Sequence, residues 1–245
     1  MAMGLARNAA ARGVFVLLAL LVGACAHTLV HGSGAPRAVA ARPLRPRCAA
    51  ALDVSTEPAA TAEEVDPGEV AGLRVLKYPH PQLRAPNAEV STFDDELRDL
   101  SRRMFRMMYA SKGVGLAAPQ VGVNKRLLVF NPEGDERKMS AECVLVNPTI
   151  VERAEGTELD DEGCLSFPGF GAKVTRAKWV KVKALNLKGK PFTKKYAGWE
   201  ARIFQHEYDH LDGTLYVDRL DAGERSAVQP ELDRLVALHG PGGAL

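Results

Sequence analysis

Two histidines and a glutamate form the sequence pattern with the clearest chemical meaning. His206, Glu207 and His210 stand in the order His-Glu-x-x-His. Residues four apart lie on one face of a helix, so both imidazoles can bind one metal ion while the glutamate reaches a water molecule on that ion. The same pattern also arises by chance, as surface histidines on an ordinary helix. If a third ligand exists, the pattern predicts a metal-dependent hydrolytic site.

The third ligand has to come from elsewhere in the chain, because such a site uses three protein ligands and keeps one position open for water. Metzincin peptidases place a third histidine where this chain has Tyr216. A thermolysin-like site would use a downstream glutamate, and Glu224 and Glu231 are available but lack further motif residues. Cys164, in a glycine-containing turn, is the better candidate, although a lone thiol is commonly an inert core residue. The residue types alone leave both solutions open.

Two helices are expected to flank this chemistry. After Gly198 breaks the preceding pattern, residues 199–211 have helical spacing and carry both histidines. Thr92 is expected to precede and cap an earlier helix, with Asp95 completing a capping box, and Gly113 is expected to end that helix. Its regularly spaced leucines and methionines are interpreted as core residues.

Short strands and a C-terminal helix complete the predicted fold. Alternating or apolar runs predict strands at 126–130, 143–147, 180–187 and 191–196. A last helix is expected over 224–238, with one apolar face formed by Leu232, Leu235, Val236 and Leu238. The predicted class is α+β, with mainly antiparallel short strands around a central metal-binding helix and a C-terminal helix.

Composition and charge limit the possible functions. The chain has 245 residues, of which 46% are hydrophobic and 25% charged, as in soluble globular proteins. The net charge of +2 and the lack of a continuous basic run argue against nucleic-acid specificity. Four irregularly spaced cysteines form no disulfide framework, which favours a reducing compartment.

The first 66 residues are expected to form a targeting presequence and linker. Residues 1–52 contain six arginines but no lysine or acidic residue. Residues 14–26 are a signal-like core, too short to span a bilayer, and residues 27–52 have the composition of a transit peptide. This order favours a plastid, with a mitochondrion second; a membrane anchor or a bacterial lipoprotein site are the alternatives. The catalytic domain is then residues 67–245, without a stable membrane span.

Three segments together resemble the peptide deformylases. They are residues 113–120 (GVGLAAPQ), 162–166 (EGCLS) and 205–213 (QHEYDHLDG), in the order that the family has. The resemblance extends from about residue 73 to residue 220 and is greatest to the plastid-type members. Gly171 departs from many bacterial deformylases, which carry there an arginine thought to touch the substrate beyond its first residue.

The resemblance implies one Fe(II) or Zn(II) ion bound by Cys164, His206 and His210. It implies that metal-bound water attacks the formyl carbon of an N-terminal formylmethionine, with Glu207 as the catalytic acid and base. The expected partners are N-formylmethionine nascent polypeptides, with the ribosome as a further candidate. These ligand types do not distinguish iron from zinc.

The resemblance also assigns the groups around the metal. The Gln120 amide and the Leu165 backbone N–H are expected to stabilise the oxyanion. Glu162 and Arg176 are expected to pair and to steady the cysteine turn. The expected substrate-binding residues are Gly113, Val114, Gly115, Trp199 and Ile203.

Two other functions remain as hypotheses. One is a zinc endopeptidase whose third ligand is a glutamate. The other is an inactive deformylase-like protein that binds ribosomes or nascent chains through its basic surface and C-terminal helix. The presence of every expected catalytic residue argues against the inactive protein.

Overall fold

The computed structural model describes residues 67–240. The predicted presequence, residues 1–66 with its signal-like part 14–26 and its transit-like part 27–52, lies outside the described residues, as do residues 241–245. Within residues 67–240, no helix combines the length and the apolar composition needed to cross a membrane.

Seven strands in the described chain form two separate sheets. They are β1 Gly115–Ala117, β2 Leu127–Phe130, β3 Cys143–Arg153, β4 Thr157–Cys164, β5 Phe167–Ala177, β6 Trp179–Leu185 and β7 Pro191–Ala197. The larger sheet has the order β1-β2-β3-β6-β7, and all its neighbouring strands are antiparallel. The four predicted strands are confirmed as β2, β3, β6 and β7, although β3 is longer than predicted.

The second sheet is the antiparallel hairpin of β4 and β5. The sequence did not predict it, because Glu162 and Cys164 are the buried residues of β4 and its other six positions are exposed polar, glycine or leucine residues. Such a strand lacks the apolar alternation by which strands are recognised. Cys164, expected within a turn, is instead the last residue of β4 and directly precedes the turn formed by residues 165 and 166.

Three α-helices are present in residues 67–240: α1 Asp95–Ala110, α2 Gly198–Leu211 and α3 Ala222–His239. The predicted start of α1 is wrong, because the carboxylate of Asp94, not the hydroxyl of Thr92, accepts the 3.0 Å bond from the Leu97 N–H. An N-cap residue satisfies N–H groups that have no partner within the helix. The helix also ends before Gly113, with Ser111 as its C-cap.

The main sheet packs between α1 and α2. Leu127 and Val129 of β2 belong to the core cluster that contains α1, whereas Leu128 and Phe130 belong to the cluster that contains the apolar residues of α2. Side chains alternate between the two faces of a strand, so a strand covered on both faces is apolar throughout. This explains the continuous Leu-Leu-Val-Phe sequence of β2.

Helix α3 packs against β5 along a narrow stripe. Val228, Leu232 and Leu235 are buried in the cluster that also contains Phe167 and Val174 of β5. The broader apolar face predicted for this helix is wrong at two positions. Val236 is 40% exposed and Leu238 is 63% exposed. The helix, the hairpin and the five-stranded sheet together confirm the predicted α+β class.

Candidate metal centre and active site

The two histidines of α2 and the cysteine of β4 meet in the protein interior. Ligand atoms of Cys164, His206 and His210 all lie within 4.8 Å of one another, and all three residues are buried. The Cys164 Sγ lies 3.4 Å from the His210 Nε2, although the two residues are 46 positions apart in the chain. The three predicted ligands are therefore brought together.

Local structure explains how the thiol reaches the helix. The register of β4 and β5 shifts between Gly163 and Cys164, so that Cys164 pairs with Phe167 across the tight turn. Register shifts of this kind bend a strand and redirect its side chains. On α2, the one-turn spacing of His206 and His210 brings their ring centroids to 5.2 Å.

These three donors suit a zinc or ferrous ion. One thiol and two imidazoles match the ligand types that both ions accept, and three protein ligands leave a fourth position for water. The His206 Nδ1 lies 2.9 Å from a carboxylate oxygen of Glu162, so its Nε2 is left to face the thiol. A carboxylate bonded to the second nitrogen of a ligating histidine fixes the orientation of the ring.

The glutamates considered as third ligands are engaged elsewhere. The Glu224 carboxylate accepts a 3.1 Å bond from the Lys173 N–H, and Glu231 pairs with Arg234 at 2.7 Å. Neither glutamate belongs to the donor group around His206 in the described part of the chain. The geometry therefore favours the cysteine ligand.

Glu162 is the centre of a buried ionic network. Arg176 binds its carboxylate through Nε at 2.8 Å and Nη2 at 2.9 Å, as expected, and Arg202 adds a bond from Nη1 at 2.8 Å. Burial alone would raise the pKa of Glu162, but the bonds from Arg176 and His206 outweigh it and lower that pKa to about 2. Glu162 is therefore a carboxylate at neutral pH and accepts from the His206 N–H.

The network continues from Arg176 toward the surface. The Arg176 Nη1 also contacts Asp209, which binds Arg219 through bonds of 2.7 and 3.1 Å. The sequence motifs indicate no role for Arg202, Asp209 or Arg219. Charged residues beside a His-Glu-x-x-His motif look like ordinary surface residues of a helix. The signal in the sequence that could have revealed these roles was the number of apolar residues in α2. If the helix is buried among other elements, the charged residues between its apolar residues must be buried as well.

Glu207 lies against the backbone of β1. Its Oε2 is buried and accepts no hydrogen bond from the described residues. A Cβ atom on Gly115 would lie only 2.9 Å from Cγ and Cδ of Glu207. Burial raises the pKa of Glu207 to about 7. Position 115 therefore has to be glycine for the Glu207 carboxylate to occupy this place. The sequence did not indicate this contact between Gly115 and Glu207.

The Gln120 amide is held with its nitrogen toward the cysteine. Its Oε1 accepts a 2.8 Å bond from the Ala117 N–H, and its Nε2 lies 3.6 Å from the Cys164 Sγ and 3.4 Å from the Ser166 Oγ. Gln120 is 1% exposed, so this orientation is fixed by packing and by the backbone bond. Leu165 follows Cys164 directly in the turn, and its side chain is the group that a Cβ on Gly113 would meet, at 2.9 Å.

A small cavity opens beside these groups. Its apolar wall is formed by Val114, Trp199 and Ile203, and His206 and Glu207 line it as well. Trp199 is half-exposed, and its indole N–H donates a 3.1 Å bond to the Pro132 carbonyl. The side chains predicted to form the substrate pocket thus do line one cavity, whereas Gly113 and Gly115 are not among its lining residues.

Known proteins are similar to this chain in sequence and in fold. The family model described as polypeptide deformylase matches residues 73–226. The chain is 47% identical over 163 residues to the chloroplastic peptide deformylase 1B of Oryza sativa, covering 66% of this chain and 60% of that protein. It is 46% identical over 158 residues to the peptide deformylase of Acidobacterium capsulatum, covering 63% of this chain and 89% of that protein. The chain therefore spans about 60% of the length of the plant relatives.

Solved structures agree with this similarity. A plant peptide deformylase of type 1B superposes with a TM-score of 0.67 at 43% identity, covering 69% of this chain and 91% of that chain. The peptide deformylase of Plasmodium falciparum superposes with a TM-score of 0.68 at 41% identity, covering 70% of this chain and all (100%) of that chain. With its Cys164, His206 and His210 group in place, this chain belongs to the polypeptide deformylase family.

Proposed function

We propose that the protein is a metal-dependent hydrolase that removes the N-formyl group from the N-terminal methionine of newly made proteins. The observation that carries the proposal is the buried group of Cys164, His206 and His210, with the Glu207 carboxylate and the Gln120 amide beside it. An amide bond is hydrolysed by such a group when water, an acid–base residue and oxyanion donors converge on one carbon atom.

Cys164, His206 and His210 would hold one Fe(II) or Zn(II) ion. When bound, such an ion polarises a carbonyl oxygen and lowers the pKa of a water molecule from 15.7 to about 7. Glu162 keeps His206 in the orientation that presents Nε2 to the ion.

Glu207 is the proposed acid and base. Its buried Oε2 has no partner among the described residues, so it is available to accept the proton of the attacking water. As the C–N bond breaks, Glu207 returns that proton to the leaving nitrogen, which gives a free amine and formic acid, and the acid then loses its proton to solvent as formate. Proton transfer by a positioned side chain typically contributes about 10² to 10⁴ in rate.

Gln120 and Leu165 are the proposed oxyanion donors. The Nε2 of Gln120 already points toward the cysteine, and the Leu165 N–H follows Cys164 in the same turn. Both groups would donate to the formyl oxygen as negative charge develops on it. Loss of one such donor typically costs about 2.7 to 4 kcal/mol in the barrier.

The substrate methionine is proposed to occupy the cavity beside the site. Val114, Trp199 and Ile203 would contact its side chain, because an unbranched thioether is accommodated by an apolar wall. Gly113 and Gly115 would bind the substrate backbone, since neither residue has a side chain of its own that would block the approach of a second chain.

The test is formate release by the full chain, loaded with iron under anaerobic conditions. We expect formate from a formyl-Met-Ala peptide and no internal cleavage of a longer blocked peptide. Glu207→Gln should lose nearly all activity and keep its metal, whereas the matched surface variant Glu231→Gln should keep both. Internal cleavage without formate would favour the endopeptidase hypothesis, and a metal-loaded protein without either activity would favour the inactive binder.

The proposed partners are N-formylmethionine nascent polypeptides and the ribosome that carries them. The proposed location is a plastid, with a mitochondrion second, and residues 1–66 would be the presequence that precedes the catalytic domain 67–245. The rice relative is named chloroplastic and the Arabidopsis thaliana relative chloroplastic/mitochondrial, which supports this location. A fluorescent protein fused to residues 1–66 should enter plastids; retention in the cytosol would contradict the assignment.

A further inference from the structure

Within the part of the chain that the structure describes, one segment is rich in positive charge. Residues 163–199 contain eight lysines and one arginine but no aspartate or glutamate, whereas the whole chain has a net charge of only +2. The lysines are separated by apolar and small residues, so they form no continuous basic run in the sequence. The fold determines whether they meet.

The hairpin of β6 and β7 places three of these lysines on one face of the sheet and carries two more, both exposed, in its turn. Lys181 pairs directly with Lys195 in the register of the two strands, and Lys183 is two residues further along β6. The alternate residues Val180, Val182 and Ala184 are buried, so the lysines of β6 point to solvent. We call this surface the lysine face: Lys181, Lys183 and Lys195 on the strands, with Lys188 and Lys190 at the turn.

Few acidic groups neutralise the lysine face. Lys181 pairs with Glu152 at 3.2 Å, and the other four lysines form no ion pair within 4.0 Å in the described part of the chain. The Gly189 turn packs near Phe93, but the two carboxylates that follow Phe93 are engaged. Asp94 caps α1, and Asp95 pairs with Arg98. Five lysines and one glutamate leave this surface with a local charge of +4.

Fold stability accounts for only part of this arrangement. Lys195 lies over the Trp179 ring, with its Nζ 3.8 Å from the ring centroid, and Lys181 pairs with Glu152 across the strands. Like charges directly opposite each other on neighbouring strands are destabilising, and Lys181 faces Lys195 in this way. Lysines on an edge strand protect it from pairing with other chains, which explains Lys195 on β7. That reason does not apply to Lys181 and Lys183, because β6 lies between β3 and β7 inside the sheet.

We propose that the lysine face binds the phosphate backbone of RNA. Residues two apart on a strand are about 6.6 Å apart and neighbouring strands about 4.8 Å apart, so the ammonium groups form an array of closely spaced point charges. Thr149 and Thr193, which pair with Lys183 from either side, are polar, whereas a membrane-binding surface needs apolar side chains to insert. Contacts to phosphates carry no sequence information, so such binding would not depend on the RNA sequence.

The inference goes beyond the proposed deformylase activity and is tested separately from it. The probe is a fluorescein-labelled single-stranded oligouridylate of about 20 nucleotides, and binding to the full chain is followed by anisotropy over a salt series. Lys183→Gln, Lys190→Gln and Lys195→Gln are combined in one variant. Each lost phosphate contact reduces the slope of log K against log salt by about 0.7, so the slope should fall by about 2. The affinity at low salt should fall more than about tenfold.

The control removes the same charge elsewhere, with Lys125→Gln, Lys138→Gln and Lys173→Gln combined. Every variant carries the same arginines in residues 1–66, so these contribute equally. The proposal stands if the lysine-face variant loses affinity and slope while the control keeps both. It is overturned if the two variants lose equally, if the unaltered chain does not bind the RNA, or if it binds anionic vesicles instead. Formate release from a free formyl-Met peptide, measured in parallel, should be equal in all three proteins and reports on the deformylase activity alone.

Discussion

The guanidinium of Arg202 lies 2.8 Å from the Glu162 carboxylate, one helical turn before His206. The same guanidinium donates 2.9 Å bonds to the carbonyls of Glu158 on β4 and Val174 on β5. Helix α2 supplies two of the candidate metal ligands, and the β4–β5 hairpin supplies the third. One buried side chain of the helix therefore holds both strands of the hairpin.

Arg202→Lys is expected to weaken metal binding. A lysine keeps the positive charge but cannot bond Glu162 and two carbonyls in different directions. Loss of a group that orients a ligand typically lowers metal affinity about 10- to 100-fold. Competition with a chelator measures this affinity, and the visible spectrum of the Co(II) form reports a changed ligand geometry.

Arg126→Lys is the matched control for this change. Arg126 also binds α2, through the Leu211 carbonyl at 3.2 Å and Asp212 at 2.8 Å, but it does not bond Glu162. Equal loss of affinity in both variants would mean that Arg202 acts only through general stability.

Cys164→Ala is expected to abolish tight metal binding. The two histidines that remain supply only two of the three ligands that such a site requires. Metal content after dialysis measures the loss, with Cys143→Ala as the control because Cys143 lies outside the donor group. If Cys164→Ala still bound a full equivalent of metal, the third ligand would have to be another residue, as in the endopeptidase hypothesis with its glutamate.

Gly115→Ala is expected to reduce the rate of formate release at least about tenfold while metal stays bound. The added Cβ would lie 2.9 Å from Cγ and Cδ of Glu207, so the carboxylate has to move. A displacement of about 1 Å at a reacting group can cost about 10²-fold in rate. Gly156→Ala is the control, because its Cβ would meet only the Lys178 side chain at 3.7 Å. An unchanged rate of formate release in Gly115→Ala would contradict a mechanism in which Glu207 acts from this position.

Gly171→Ala is expected to destabilise the hairpin. Its Cβ would lie 2.6 Å from the Glu162 carbonyl oxygen, a backbone atom that cannot move alone. Overpacking of this kind typically costs about 1 to 3 kcal/mol, or a fall in Tm of about 2 to 12 °C in a domain of this size. An arginine at position 171 would meet the same carbonyl oxygen through its Cβ and would require a different local backbone.

The residue opposite offers a matched control for that measurement. Gly163 pairs with Gly171 in the hairpin register, yet a Cβ there would meet nothing within 4 Å. Gly163→Ala should therefore keep its melting temperature. A similar fall in both variants would point to a general need for glycine in the hairpin rather than to the contact with Glu162.

The sequence predicted those parts of the fold that depend on regular spacing. The one-turn spacing of His206 and His210 placed both imidazoles on one helix face, and the alternation of Val180 and Val182 placed β6. The β4–β5 hairpin escaped prediction because its stability comes from tertiary bonds, such as those from Arg202, rather than from apolar alternation. Neighbouring polar residues can both cap a helix, so the choice of Asp94 over Thr92 depended on backbone geometry that no spacing reveals.

The site could be predicted only in part for a similar reason. Motifs identified the groups that are proposed to touch metal and substrate, because such chemistry requires particular side chains. Asp209 and Arg219, which continue the charge network from Arg176, gave no such signal, since their partners lie in other elements. Burial decides their role, and burial is a property of the folded chain.

The separation of Cys164 and His210 along the chain has a consequence for stability. An ion held by both residues closes a loop of 46 positions, much as a covalent cross-link would. A cross-link that closes a loop of this length lowers the conformational entropy of the unfolded chain, and this loss corresponds to about 4 kcal/mol of free energy of unfolding. In the metal-loaded protein, the proposed catalytic centre would thus also cross-link the second half of the chain, so that thermal stability would depend on the supply of metal.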